Sequence, residues 1–377
     1  MVNPVRAYLL GDKSLKDEGV VHGGNFVAVN RIEYSGIPGF TIFYNNPPYH
    51  LVGTDILLEY RESLEWIKDQ RDAQFLLAFR HNGPTHVGAN LKESQENLRR
   101  SNDLSWARQR LDIGVTTDSL FAELSERMLT FALANGRDMY GGSTELPFMA
   151  DHVLIGSRAT AYLTEVCIGL IHGWASLVRF LSRTRPENVK YIAMTGEGIS
   201  AQKLKDAGLV AAVLEAPEYP VSTLKGADAS AFWDHYDIDA HRALFPQALR
   251  FISRSVEDIS ILPVYCNNVI MPHGNELDGI VNSRADPSNY DGLFGKPLSE
   301  AKETVGYPGR PLTPQSIDML REFFRALEGL GPDEIRGRRN ELVRMEADMD
   351  FRLYQEHTER LKRGIDAALN QTVADFK

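Results

Sequence analysis

Between residues 26 and 80 the chain alternates two kinds of apolar spacing, and this constrains its fold more than any other feature. Phe26 to Tyr34 and Phe40 to Tyr44 are rich in β-branched and aromatic residues, with Ser35-Gly36-Ile37-Pro38-Gly39 between them as a hairpin turn. Asn45-Asn46-Pro47-Pro48 stops the second run, because proline brings no N–H to a strand ladder. From Thr54 to Lys68 the apolar residues Ile56, Leu57, Tyr60, Leu64 and Ile67 fall at helical spacing. Ala73 to Phe79 then returns to a short apolar run of the kind a buried strand needs. Strand, helix and strand in that order require a crossover, so the class expected is α/β with a partly parallel sheet.

The same reading carries along the chain. After the polar loop His81 to Gly88, a helix is expected from Leu91 and another over Ser119 to Leu133. Gly141-Gly142-Ser143 reads as a turn that opens a helix through Glu145, Leu146, Phe148 and Met149. A strand over Val153 to Ile155 follows, then a turn and helix within Gly169 to Phe180, a short segment at Tyr191 to Met194, a helix over Ile199 to Gly208 and a strand over Leu209 to Leu214. Residues 1–25 are polar and glycine-containing and read as an extension of a core over 26–215. In residues 216–332 periodicity weakens, and prolines from Pro217 to Pro314, Pro246 among them, punctuate a stretch expected to be a loop-rich insertion, either a lid or an interface. Residues 333–377 form a C-terminal helical segment with charges of both signs, where Leu342, Met345, Met349, Leu353 and His357 share one side.

Composition removes several functions. The 377 residues carry a formal net charge of −10, which argues against a nucleic-acid binder with a basic face. No apolar run has the length of roughly 20 residues that a membrane span needs, and no secretory signal is visible, so a cytoplasmic protein without a membrane partner is expected. Two cysteines, Cys167 and Cys266, are too few for a disulfide framework. Asp234, His235, Asp237, Asp239 and His241 supply potential metal ligands but match no known ligand spacing, and no metal is expected.

Three segments carry chemistry. They are Val87-Gly88-Ala89-Asn90-Leu91-Lys92-Glu93, then Tyr140-Gly141-Gly142-Ser143-Thr144-Glu145-Leu146 with Asp151 beyond it, and Leu163-Thr164-Glu165-Val166 running on to Gly169-Leu170-Ile171-His172-Gly173. A glycine before a helix can present a backbone N–H that the first helical turn leaves unpaired. Two such loops could aim their donors at one oxygen and stabilise charge developing on a thioester carbonyl. Two glutamates nearby could handle protons, because a desolvated carboxylate beside another has a raised pKa. Each element alone also has a plain structural reading: Glu145 as a helix N-terminal acid, Glu165 as an arginine's partner, Ser143 and Thr144 as helix-start residues, and His172 as a packing histidine.

Taken in order, the segments resemble the crotonase (enoyl-CoA hydratase/isomerase) superfamily. The family's Gly-Ala-Asp-Leu-Lys-Glu-like element corresponds to Gly88-Ala89-Asn90-Leu91-Lys92-Glu93, its Gly-Gly-Gly-x-Glu-Leu to Gly141-Gly142-Ser143-Thr144-Glu145-Leu146, and its Pro-Glu with a following Gly-Leu-x-Pro-Gly to Thr164-Glu165 and Gly169 to Gly173. Thr195-Gly196-Glu197-Gly198-Ile199-Ser200-Ala201, followed by Ala207-Gly208-Leu209-Val210, resembles a fourth family segment. The likeness spans roughly residues 30–215 and departs from the pattern at Asn90, Ser143, Thr164 and His172, and around His86 and Val87. It implies a spiral of ββα repeats with C-terminal helices, assembled as a homotrimer or hexamer. It implies an acyl-CoA substrate and no separate cofactor. It also implies an oxyanion hole from the Ala89 and Gly142 amides, Glu145 and Glu165 as catalytic carboxylates, and Gly88 and Lys92 near the CoA. Retention of both glutamates tilts the expected reaction to hydration of an α,β-unsaturated acyl-CoA. Hydrolytic ring opening or C–C cleavage of a cyclic β-oxo acyl-CoA, double-bond isomerisation, and an inactive scaffold stand as alternatives.

Overall fold

The computed structural model describes residues 5, 12–46, 51–80, 88–134, 138–218, 227–262 and 312–370. Leu15–Gly23 (β1), in the stretch read as an extension, pairs antiparallel with Val27–Tyr34 (β2). Its apolar residues, Leu15, Val20 and Val21, do not alternate with polar ones, so the strand has no apolar signature, and its pairing to β2 holds it. A tight turn at Ser35-Gly36, both at positive φ, joins β2 to Ile37–Tyr44 (β3). The turn is therefore shorter than the sequence suggests: Ile37, Pro38 and Gly39 already lie in the strand.

Helix Thr54–Asp69 (α1) carries the chain across to Phe75–Arg80 (β4), which lies parallel to β3. Leu91–Arg100 (α2) and Ser105–Ser125 (α3) lead to Leu129–Ala134 (β5), parallel to β4. The helix expected over Ser119 to Leu133 thus ends at Ser125, and its last residues are a strand. Leu129–Ala134 lies between β4 and β7 and is apolar on both faces, so it lacks the polar alternation that separates strand from helix.

From here each turn of the chain gives one strand to each of two sheets. Asp138–Tyr140 (β6) is followed by the short helix Gly142–Glu145 (α4). His152–Gly156 (β7) is followed by Thr160–Tyr162 (β8), then Ser176–Leu181 (α5) and Pro186–Thr195 (α6). Ile199–Ser200 (β9), Ala201–Asp206 (α7) and Ala212–Leu214 (β10) complete the spiral. The main sheet runs β1-β2-β3-β4-β5-β7-β10 and the small one β6-β8-β9.

Alternation along the central strands feeds two cores. Leu76 and Ala78, Ala132 and Ala134, and Val153 and Ile155 face the core shared with α1, α3 and the C-terminal helices. Phe75, Leu77 and Phe79, Phe131 and Leu133, and Leu154 face the opposite core. That second face is covered by Ala227–Glu257 (α8), a 31-residue helix inside the stretch read as loop-rich. Its Ala240, Leu244, Phe245, Ala248, Leu249 and Ile252 recur at helical spacing and are buried. Pro246 does not end the helix: it removes one N–H, a loss offset by burial of the residues around it.

Pro314–Ala326 (α9), Pro332–Gly337 (α10), Arg339–Glu356 (α11) and Thr358–Leu369 (α12) wrap the side that holds the motif loops. Thr313 N–H donates to the Val166 carbonyl at 2.8 Å, and Gly364 lets α12 lie directly on the Ile168 backbone. Buried Asp118 of α3 accepts from Arg179 Nε of α5 at 2.6 Å and pairs with Arg339, and Asp151 meets the same Arg179 at 3.3 Å. These contacts fix the C-terminal helices against the strands that carry the second and third motifs.

Candidate active site

Gly88 sits so tightly against the Tyr140-Gly141-Gly142-Ser143 turn that a Cβ there would overlap the Tyr140 carbonyl. The first two motif loops are therefore in contact. Val52 donates to the Gly88 carbonyl and accepts from Asn90 N–H, both at 3.0 Å, which turns the Ala89 N–H away from Val52. Gly142 opens α4, where an N–H has no carbonyl within the helix to reach. Among the described residues, neither the Ala89 nor the Gly142 amide donates a hydrogen bond, and both residues line one cavity of about 470 Å³.

The departures from the family pattern here are structural. Asn90 caps α2 by accepting from Glu93 N–H at 3.3 Å, and Glu93 accepts from Thr54 N–H at 3.2 Å, pinning α1 to α2. Ser143 Oγ bonds the Tyr140 carbonyl at 3.0 Å and closes the turn, while Thr144 Oγ1 bonds the Met139 carbonyl. Lys92 is exposed at the cavity's edge, and Gly88 is in its wall. His86 and Val87 lie outside the described residues.

Glu145 and Glu165 both line this cavity, and both are buried, at 4% and 8% exposure. Glu145 Oε1 accepts from Trp174 N–H at 3.2 Å and from Ser176 Oγ at 3.0 Å. Burial, with the nearby Glu165 charge adding to it, pushes the Glu145 carboxyl up to about 7. Gly141, at φ +53°, faces the other carboxylate: a Cβ there would lie 2.7 Å from Glu165 Oε1. The glycine in the second motif thus makes room for the glutamate in the third.

His172, read from sequence as a packing residue, is fully buried with Nδ1 3.1 Å from Glu165 Oε2. The contact is electrostatic, without hydrogen-bond alignment. Burial pulls the imidazole down, but Glu165 foremost, then Glu145 and Asp350, outweigh it and hold its pKa above the ordinary value. The third motif carries the histidine where the family pattern has proline, and its two-residue distance from Trp174, which braces Glu145, is the signal that could have marked it.

Sequence reasoning missed the far wall. Asp350 of α11 is buried, accepts from Ile171 N–H at 2.9 Å through Oδ1, and lines the cavity with Oδ2 free of any hydrogen bond among the described residues. Its carboxyl is pushed well above the usual range, first by burial. Glu346, one turn earlier, is fully buried and accepts from Val178 N–H at 3.2 Å. Both acids stand on the apolar side of a helix whose Leu342, Met349 and Leu353 were noted, and an acid on an apolar stripe is the signal that was available. Among the described residues no cluster of three His, Cys, Asp or Glu could hold a metal ion, and Asp234, His235 and Asp237 have no described side chains. No helix among the described residues is long and apolar enough to cross a membrane.

Known proteins similar to this chain fall in one group. Residues 88–227 match the family model described as Enoyl-CoA hydratase/isomerase. This stretch is similar to the enoyl-CoA hydratase/isomerase family. The match contains all three motif loops and both glutamates. The chain is 34% identical over 85 residues to a mitochondrial enoyl-CoA hydratase of Pongo abelii, covering 22% of this chain and 28% of that protein. It is 23% identical over 323 residues to the fatty acid oxidation complex subunit alpha of Acinetobacter baylyi, covering 81% of this chain and 41% of that one. The chain thus spans less than half the length of these curated relatives. Among solved structures, a carnitinyl-CoA dehydratase from Mycobacterium thermoresistibile aligns over 95% of this chain and 90% of its own, at TM-score 0.58 and 14% identity. An enoyl-CoA hydratase from Rhodobacter sphaeroides aligns over 88% and 87%, at TM-score 0.55 and 14% identity. The likeness to these structures is one of fold, which is crotonase-like.

Proposed function

We propose that this protein adds water across the double bond of an α,β-unsaturated acyl-CoA. The observation that carries the reading is the meeting of Glu145, Glu165 and the undonated Ala89 and Gly142 amides in one cavity. In this reading the two amides hold the thioester oxygen and stabilise the enolate that forms when water attacks Cβ. One glutamate takes a proton from that water and the other delivers one to Cα. Glu145, with its carboxyl near 7, is suited to either half of the exchange at neutral pH. The thioester itself acidifies Cα, so the chemistry calls for no separate cofactor. Gly88 and exposed Lys92, at the edge of the cavity, would contact the CoA moiety, with Lys92 offering a charge to its phosphates. A cytoplasmic homotrimer or hexamer completes the proposal.

The test is turnover of crotonyl-CoA, followed as loss of the enoyl-thioester absorbance without appearance of a new free carboxylate. Glu145→Gln and Glu165→Gln should each abolish it and leave CoA affinity intact. Undiminished turnover in either variant rejects the two-carboxylate mechanism. The 3.1 Å approach of His172 to Glu165 favours one second reading, hydrolytic C–C cleavage of a cyclic β-oxo acyl-CoA, because a histidine–carboxylate pair can activate water. Its mark is the new carboxylate that hydration does not make.

A further inference from the structure

Arg110 of α3 is an anomaly in the wall of the cavity. It is 5% exposed, and Nη1 donates to Ser94 Oγ at 2.8 Å. No acidic side chain among the described residues pairs with it, and its other N–H groups make no hydrogen bond there. The remaining deeply buried arginines behave differently: Arg179 holds Asp118 and Asp151, and Arg183 holds the Phe148 and Ala150 carbonyls. A buried guanidinium bound only to a hydroxyl is costly unless an anion completes it, and a chain with net charge −10 leaves this cation without one.

Arg110 and Ser94 line the cavity that holds Glu145 and Glu165. Leu111, the next residue, touches Gly173, and the residue after that glycine, Trp174, gives its N–H to Glu145. The arginine is therefore a few side-chain contacts from the proton-transfer groups. Tyr354 and Asp350, one turn apart on α11, also line the cavity, and the Tyr354 hydroxyl feels the charges of both Asp350 and Arg110. Asp350 Oδ2, which makes no hydrogen bond among the described residues, borders the same space.

We infer that Arg110 binds a carboxylate at the far end of the acyl group, so that the substrate is the CoA monothioester of a short dicarboxylic acid. This rests on the acyl-CoA reading above and narrows its substrate class. A guanidinium offers a carboxylate two parallel N–H donors, and the water-poor pocket strengthens both.

The test compares two unreactive thioesters of equal carbon length, glutaryl-CoA and pentanoyl-CoA, by calorimetry on the full chain, with free CoA as a third ligand. The expected result is glutaryl-CoA binding roughly ten- to a hundredfold tighter than pentanoyl-CoA, the range of a charge-assisted hydrogen-bonded pair. In Arg110→Gln that preference should collapse while pentanoyl-CoA and free CoA bind as before, and Arg110→Lys should keep part of it. Equal binding of the two thioesters by the unaltered protein overturns the inference without need of any variant, while leaving the acyl-CoA reading intact. Equal weakening of all three ligands in a folded Arg110→Gln also overturns it, because the arginine then serves the CoA phosphates. Failure of all three ligands to bind sinks both the inference and the proposed function.

Discussion

Replacing Glu145 by glutamine should stabilise the protein at high pH more than at low pH. The carboxyl is raised from 4.5 to about 7 in the folded protein, first by burial. A group raised in this way favours folding fully below its unfolded pKa, and that contribution is lost as pH climbs through its folded one. The full shift is worth about 3.4 kcal/mol, and about 2.5 kcal/mol of that falls between pH 5 and pH 8. Glutamine keeps an oxygen to accept from Trp174 N–H and Ser176 Oγ but has no charge to bury. For a chain of this length the unfolding entropy converts about 2.5 kcal/mol to about 3 °C. The melting temperature of Glu145→Gln minus that of the unaltered protein should therefore rise by about 3 °C from pH 5 to pH 8. Differential scanning calorimetry on both proteins at both pH values measures it. A gap that does not change with pH, or that shrinks, refutes the desolvated-carboxylate account of Glu145.

Three other outcomes follow from the same geometry. Glu165→Gln should lower kcat for an enoyl-CoA by about 10²–10⁴ with little change in thioester affinity, measured by steady-state kinetics beside calorimetry. Gly141→Ala should cost about 1–2 kcal/mol in backbone strain and lower kcat further by displacing Glu165, since the new Cβ would lie 2.7 Å from Oε1; a thermal melt and a rate assay separate the two effects. Phe245→Ala should cost about 3–5 kcal/mol in denaturant unfolding, because its fully buried ring fills the core between α8 and the main sheet.

The parts legible in the sequence are those whose cause is local. The Gly-Gly turn, the helix it opens and the glutamates at fixed offsets are set by short-range backbone chemistry, and all of them converge in the cavity. Runs rich in β-branched and aromatic residues marked β2 and β3, short apolar runs marked β4 and β7, and helical spacing marked α1, because each has a pattern of its own. What failed depended on distant partners. Leu15–Gly23 is a strand only because β2 lies beside it, and Leu129–Ala134 only because strands flank it on both sides. Pro246 pointed to a break that the buried face of α8 overrides. Asp350 reaches Ile171 across 179 positions, and no spacing rule connects residues so far apart. Arg110 has no sequence signal of its own, and only its burial beside a lone hydroxyl sets it apart.

The bond from Ile171 to Asp350 also sets an order of events during synthesis. Both glutamates and both amide donors are translated before residue 166, yet the wall that seals their cavity is made almost 190 residues later. A nascent chain that has emerged as far as α9 can assemble its sheet and present the motif loops, but its chamber stays open to water on one flank. The cavity around the two glutamates is therefore complete only when α11 docks. A message cut short before residue 350 yields a chain that has every motif loop but lacks one wall of the cavity, with the apolar surface that α11 covers left bare.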